Sequence, residues 1–113
     1  MRVVLLGRDL IIASRVFEAA SRAGVEVRRV DDPAGLPTPD EVRLLLVDWG
    51  DRRADWGESL VRWCAGARGP AQPKVVLFGP HVDLAAHAAA QASGLGPMWA
   101  RSKFLADLPT LIN

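Results

Sequence analysis

Arg43-Leu44-Leu45-Leu46-Val47-Asp48 places four apolar residues in a row and stops abruptly at an acid. A run without polar alternation suits a strand covered on both faces, as in the middle of a parallel sheet. Asp48 then stands at the carboxyl edge of that sheet. Open α/β folds gather their ligands and chemistry at that edge. The functional question therefore becomes what surrounds Asp48.

Two further apolar runs fit the same reading. Arg2 to Leu6 (Arg-Val-Val-Leu-Leu) ends at Gly7, and Lys74 to Phe78 (Lys-Val-Val-Leu-Phe) ends at Gly79-Pro80. Both read as buried strands. Val25 to Val30 carries Glu26, Arg28 and Arg29 among valines, a pattern expected of an edge strand, where charge deters pairing with other chains. Met98-Trp99-Ala100 is a short last strand.

Helical periodicity fills the intervals. Asp9 is placed to cap a helix whose apolar face is Ile12, Val16, Ala19, Ala20 and Ala23, with Gly24 as its stop. Trp56, Leu60, Trp63, Cys64 and Ala67 share a face of a second helix, expected to end at Gly69-Pro70. Asp83 caps a third, from about Leu84 to Ser93, terminated by Gly94. Ser102 to Leu111 forms a fourth, with Phe104, Leu105, Leu108 and Leu111 inward. The crossover from Asp31 to Asp40 holds three prolines and a glycine. An interior proline costs a helix about 3 kcal/mol, so this crossover is a loop with at most one helical turn. Strand and helix alternate, which implies parallel pairing with right-handed crossovers and helices on both faces.

Composition narrows the function classes. The chain has 113 residues, expected to form a single domain over 1–113. Fourteen basic and thirteen acidic residues leave a net charge of +1, which disfavours binding to nucleic acid or a membrane surface through bulk charge. One cysteine, Cys64, allows neither an intrachain disulfide nor a multi-thiolate zinc site, and reads as a small buried filler. No signal-peptide core opens the sequence, and no run approaches the ~18 apolar residues that span a bilayer. A cytoplasmic protein is the expectation. His81 and His87 are six apart rather than four, so they do not share a helix face as metal ligands would. Glycine patterns that cradle phosphates are absent, which weakens nucleotide binding.

On these residues and this order of elements, the chain resembles the receiver domain of bacterial two-component response regulators, a flavodoxin-like module. The resemblance implies a three-layer, doubly wound, five-stranded parallel sheet in the order 2-1-3-4-5, here with a shortened or missing second helix. Asp48 stands where receivers carry their phosphoacceptor. Asp55, Gly57 and Gly94 also fall near positions the family uses.

Other receiver positions differ. The family holds Mg²⁺ with two acids at the end of the first strand, because the transferring phosphoryl group needs its charge offset. The matching residues here are Gly7 and Arg8, and only Asp9, one place later, is acidic. The Thr or Ser the family carries at the end of the fourth strand is Gly79, and the Lys-Pro after the fifth is Arg101-Ser102. The candidate degenerate phosphoacceptor site is thus Asp48, Asp9, Arg8, Gly79 and Arg101. Arg8, Arg101 or both are expected to pair with Asp48 in place of a metal. A plainer reading is also open: Asp48 caps a neighbouring turn, and Gly7 and Gly79 are glycines because the backbone needs room.

The resemblance with these departures implies a receiver-like signalling or protein-interaction module, not an enzyme, without metal or cofactor, working with a protein partner or a second copy of itself. Four tryptophans in a small chain fit an interface beside the Pro-rich crossover, unless that crossover folds down with Leu36 filling the gap. Two alternatives stay open. One is a flavin or nucleotide bound at the strand ends, with Trp49 or Trp99 stacking on it. The other is an enzyme in which Asp48, His81 and Arg101 converge.

Overall fold

The computed structural model describes residues 2–113. Five parallel strands, β1 (Arg2–Leu6), β2 (Val27–Val30), β3 (Val42–Asp48), β4 (Lys74–Gly79) and β5 (Met98–Ala100), form one sheet in the order β2-β1-β3-β4-β5. Helices α1 (Leu10–Ala23) and α4 (Arg101–Ile112) cover one face. Helices α2 (Trp56–Ala65) and α3 (Leu84–Ser93) cover the other.

The alternation of each strand explains the two cores. Val3, Leu5, Leu44, Leu46, Val76 and Phe78 point toward α1 and α4, where Phe78 stacks on Phe104 with centroids 4.0 Å apart. Val4, Leu6, Leu45, Val47 and Leu77 point the other way, onto Trp49, Trp56 and Leu60. The central run of β3 is buried on both faces, as its unbroken apolar sequence requires. The charged strand β2 lies at the edge.

Local signals set the boundaries. The Asp9 carboxylate accepts from the Ile11 and Ile12 N–H groups and caps α1, and Asp83 caps α3 through Ala86 N–H. Gly24 and Gly94 end α1 and α3 in left-handed conformations. Two bounds differ from the sequence expectation. Val25 N–H bonds back to Ala20 as part of the α1 terminus, so β2 begins only at Val27. Helix α2 stops at Ala65 rather than at Gly69-Pro70, because the Asp40 carboxylate takes the Arg68 and Gly69 N–H groups at 2.8–3.2 Å. Cys64, expected to be buried, is half-buried.

Between β2 and β3 the chain makes two 3₁₀ turns, Pro33–Gly35 and Pro39–Glu41, in place of a crossover helix. It does fold down. Leu36 packs against the core beneath, and the Trp63 indole N–H donates to the Pro37 carbonyl at 2.8 Å. Two of the other tryptophans, Trp49 and Trp56, are buried, and Trp99 is half-buried under Lys103. No helix is long and apolar enough to cross a membrane among the described residues.

Candidate functional site

Parallel register brings the carboxyl tips of β1, β3, β4 and β5 together. Leu6 pairs with Val47, Asp48 with Phe78, and Gly79 with Ala100, so Gly7, Asp48, Gly79 and Arg101 emerge side by side. Arg8, Asp9, Asp48, Gly50, Asp51 and Arg101 line a recess of about 540 Å³ at this edge. Four of the five candidate residues therefore converge on one recess. Gly79 sits just beneath it and is buried.

Glycine at two of these tips has a steric cause. A Cβ on Gly7 would lie 2.8 Å from the Asp48 Cβ. A Cβ on Gly79 would lie 2.7 Å from the Met98 sulfur and 3.1 Å from the Gly50 nitrogen. A side chain at Gly7 would have to displace the Asp48 Cβ, and one at Gly79 would have to shift the Met98 side chain and the Gly50 backbone, in line with the plainer reading that the backbone needs room at these glycines.

Asp48 is 3% exposed, and its Oδ1 has no hydrogen-bond partner among the described residues. The Nε of Arg101 is likewise buried and unpartnered. The Asp48 carboxyl is pushed up from its ordinary 3.8 to about 6, mainly by burial. Arg101 opposes that rise with its positive charge, while the charges of Asp51 and Asp9 add to it.

The expected ion pair on Asp48 is not formed. Arg8 turns away and grips Asp51, its Nε and Nη2 donating to both carboxylate oxygens at 3.1–3.3 Å. Arg101 acts on Asp48 through its field, without an ion pair between them. Burial decides the difference: Asp48 lies below the surface, whereas Arg8 and Asp51 are both about half-exposed and meet without leaving water. Asp51 was missed in the sequence because it falls inside a polar loop. The available signal was an acid three residues past a strand-ending acid. A 3₁₀ turn over Trp49–Asp51 brings it back to the edge.

His81 does not line the recess. Its carbonyl accepts from His87 Nε2 at 2.9 Å, so the grouping of Asp48, His81 and Arg101 in one cavity is not realised. Trp49 and Trp99 do not line it either. The Trp49 indole N–H donates to the Ala86 carbonyl at 2.9 Å and serves packing.

The three acids of the recess are a poor fit to Mg²⁺, which wants several free oxygens in octahedral array. Asp9 is committed to its cap, Asp51 to Arg8, and two guanidinium groups share the space.

No protein-family model matches the chain, and no curated protein matches it. Solved structures do. A response regulator from Hahella chejuensis superposes with a TM-score of 0.65 at 15% identity, over 99% of this chain and 97% of that one. A protein named as a CpaE2 pilus assembly protein, from Sinorhizobium meliloti, gives a TM-score of 0.57 at 16% identity, over 94% and 95%. The chain has the receiver-domain fold. In that fold Asp48 occupies the tip of the central strand, and the sheet order is the one expected from the sequence.

Proposed function

We propose that this chain is a receiver-like signalling module in the cytoplasm that works by binding a protein partner or a second copy of itself, without Mg²⁺-dependent phosphotransfer. The observation that carries this reading is the pair Arg8–Asp51. A guanidinium occupies the region where the receiver resemblance calls for a metal-binding acid, and it neutralises the nearest spare carboxylate.

Two further features support it. Gly7 abuts the Asp48 Cβ, so an acid cannot enter at that position without displacing the phosphoacceptor position itself. A phosphoryl group would add about −1.5 to −2 charge beside Asp9 and Asp51, acids that fit an offsetting Mg²⁺ poorly because one is committed to a helix cap and the other to Arg8. The Arg8–Asp51 pair also ties the loop after β1 to the turn after β3 at this edge.

Incubation with acetyl phosphate and Mg²⁺, followed by intact mass measurement, tests this reading. An unchanged mass is expected. A stable gain of one phosphoryl group, absent from Asp48→Asn, refutes it.

A further inference from the structure

A second cavity, about 720 Å³, lies between α2 and α3. Its volume is in the range of sites for small organic ligands, about 300–1,000 Å³. Its walls are small and apolar. Gly57, Val61 and Ala65 recur every four residues along one face of α2, and Ala89 and Ala92 face them from α3 over the edge of Trp49. Val61 is 44% exposed, so a branched aliphatic side chain is left in water along this groove. From Gly57 to Ala65 the wall runs eight residues, about 12 Å of helix.

Charge is distributed unevenly around these walls. Arg52, Arg53 and Arg62 line the groove against a single acid, Glu58, a net of two positive charges in a chain whose total is +1. Glu58 faces Arg62 at 3.9 Å. Arg53 has no acidic partner among the described residues. Arg52 is held in place: its guanidinium lies 5.3 Å from the centre of the Trp49 ring and donates to the Trp49 carbonyl at 3.1 Å. Both arginines stand at the start of α2, the positive end of its dipole. The Asp55 side chain, at the cap position, makes no capping hydrogen bond, and the residue does not line the groove. One end of the slot is therefore cationic and the rest is apolar.

We propose that the α2–α3 groove is a receptor for a small amphipathic anion, with a carboxylate or phosphate head held by Arg52 and Arg53 and an apolar body lying along Val61, Ala65, Ala89 and Ala92. This goes beyond the interaction role and does not depend on it, since the groove is separate from the recess at Asp48. Trp49 links the two, following Asp48 in the chain and lining the groove. An occupied groove thus bears on the residue next to the buried acid.

Calorimetric titration of the full chain with decanoate tests the proposal, with decyltrimethylammonium as a probe of like tail and opposite head. Saturable binding of one decanoate is expected, with the cation at least tenfold weaker. Arg53→Glu should weaken decanoate at least tenfold, Arg53→Lys should retain most of the affinity, and Ala92→Phe should block the slot. Arg53 and Ala92 are exposed, so these variants are expected to fold, which circular dichroism checks. Equal affinity for the two probes, no saturable decanoate binding, or wild-type affinity in Arg53→Glu and Ala92→Phe each overturns the proposal. An acidic Leu/Glu helical peptide that binds, sensitive to the same variants, where decanoate does not, would assign the groove to a protein partner and overturn it as well.

Discussion

Asp48→Asn should make this protein more stable at neutral pH, and the gain should grow as the pH rises. The side chain is 3% exposed with one oxygen unpartnered, and its carboxyl is raised from 3.8 to about 6. A group whose proton is held more tightly in the folded state favours folding below its unfolded value, and that contribution is lost as pH rises through the folded value. The window is therefore pH 3.8 to 6. Above it the ionised carboxylate costs ~3 kcal/mol relative to acid conditions, at ~1.4 kcal/mol for each tenfold in proton affinity. At pH 4.5 about 1 kcal/mol of that has already been lost, so ~2 kcal/mol remains to appear by pH 7.5. Asparagine keeps the shape and removes the charge, although its amide must also be desolvated. The net gain at pH 7.5 is expected to be ~1–3 kcal/mol, or about 4 °C in Tm per kcal/mol. Urea unfolding of both proteins at pH 4.5, 6 and 7.5 reads this directly, because the difference in midpoint at constant slope is the difference in stability. A difference that stays flat across the three pH values, or that grows toward acid, refutes the description of Asp48 as a desolvated, unpaired carboxylate.

Other positions give independent tests. Gly79→Thr adds a hydroxyl at the tip of β4 but drives a Cβ into the Met98 sulfur and the Gly50 backbone, so chemical denaturation should show a loss of ~1–3 kcal/mol. Arg8→Ala removes a half-exposed ion pair and should cost no more than ~1 kcal/mol in the same assay, with the effect shrinking in salt. Trp63→Phe frees the Pro37 carbonyl, and hydrogen exchange should then show faster opening of the crossover between β2 and β3 while the protection of β3 is unchanged.

The fold was legible because its three central strands, β1, β3 and β4, are largely buried on both faces, and uninterrupted apolar runs such as Leu44 to Val47 mark them. The caps were legible for the same local reason, since Asp9 and Asp83 act within three residues of themselves. The site was legible only as a list of neighbours. Register brings Arg8, Asp9, Asp48 and Arg101 to one recess, but pairing within it depends on depth, and depth does not show in a linear string. Arg8 reaches Asp51 rather than Asp48 because two half-exposed groups can meet while keeping much of their water. A pair between Arg8 and Asp48 would require the Arg8 guanidinium to leave the surface for a depth where desolvation offsets the Coulomb attraction. The same competition fixed the end of α2, where Asp40, 28 residues from Arg68 in sequence, takes backbone N–H groups that a longer helix would have used. In both places a carboxylate at the surface chose its partner by accessibility. That leaves the Oδ1 of Asp48 without a hydrogen-bond partner among the described residues, a buried carboxylate whose cost appears in the pH dependence of stability.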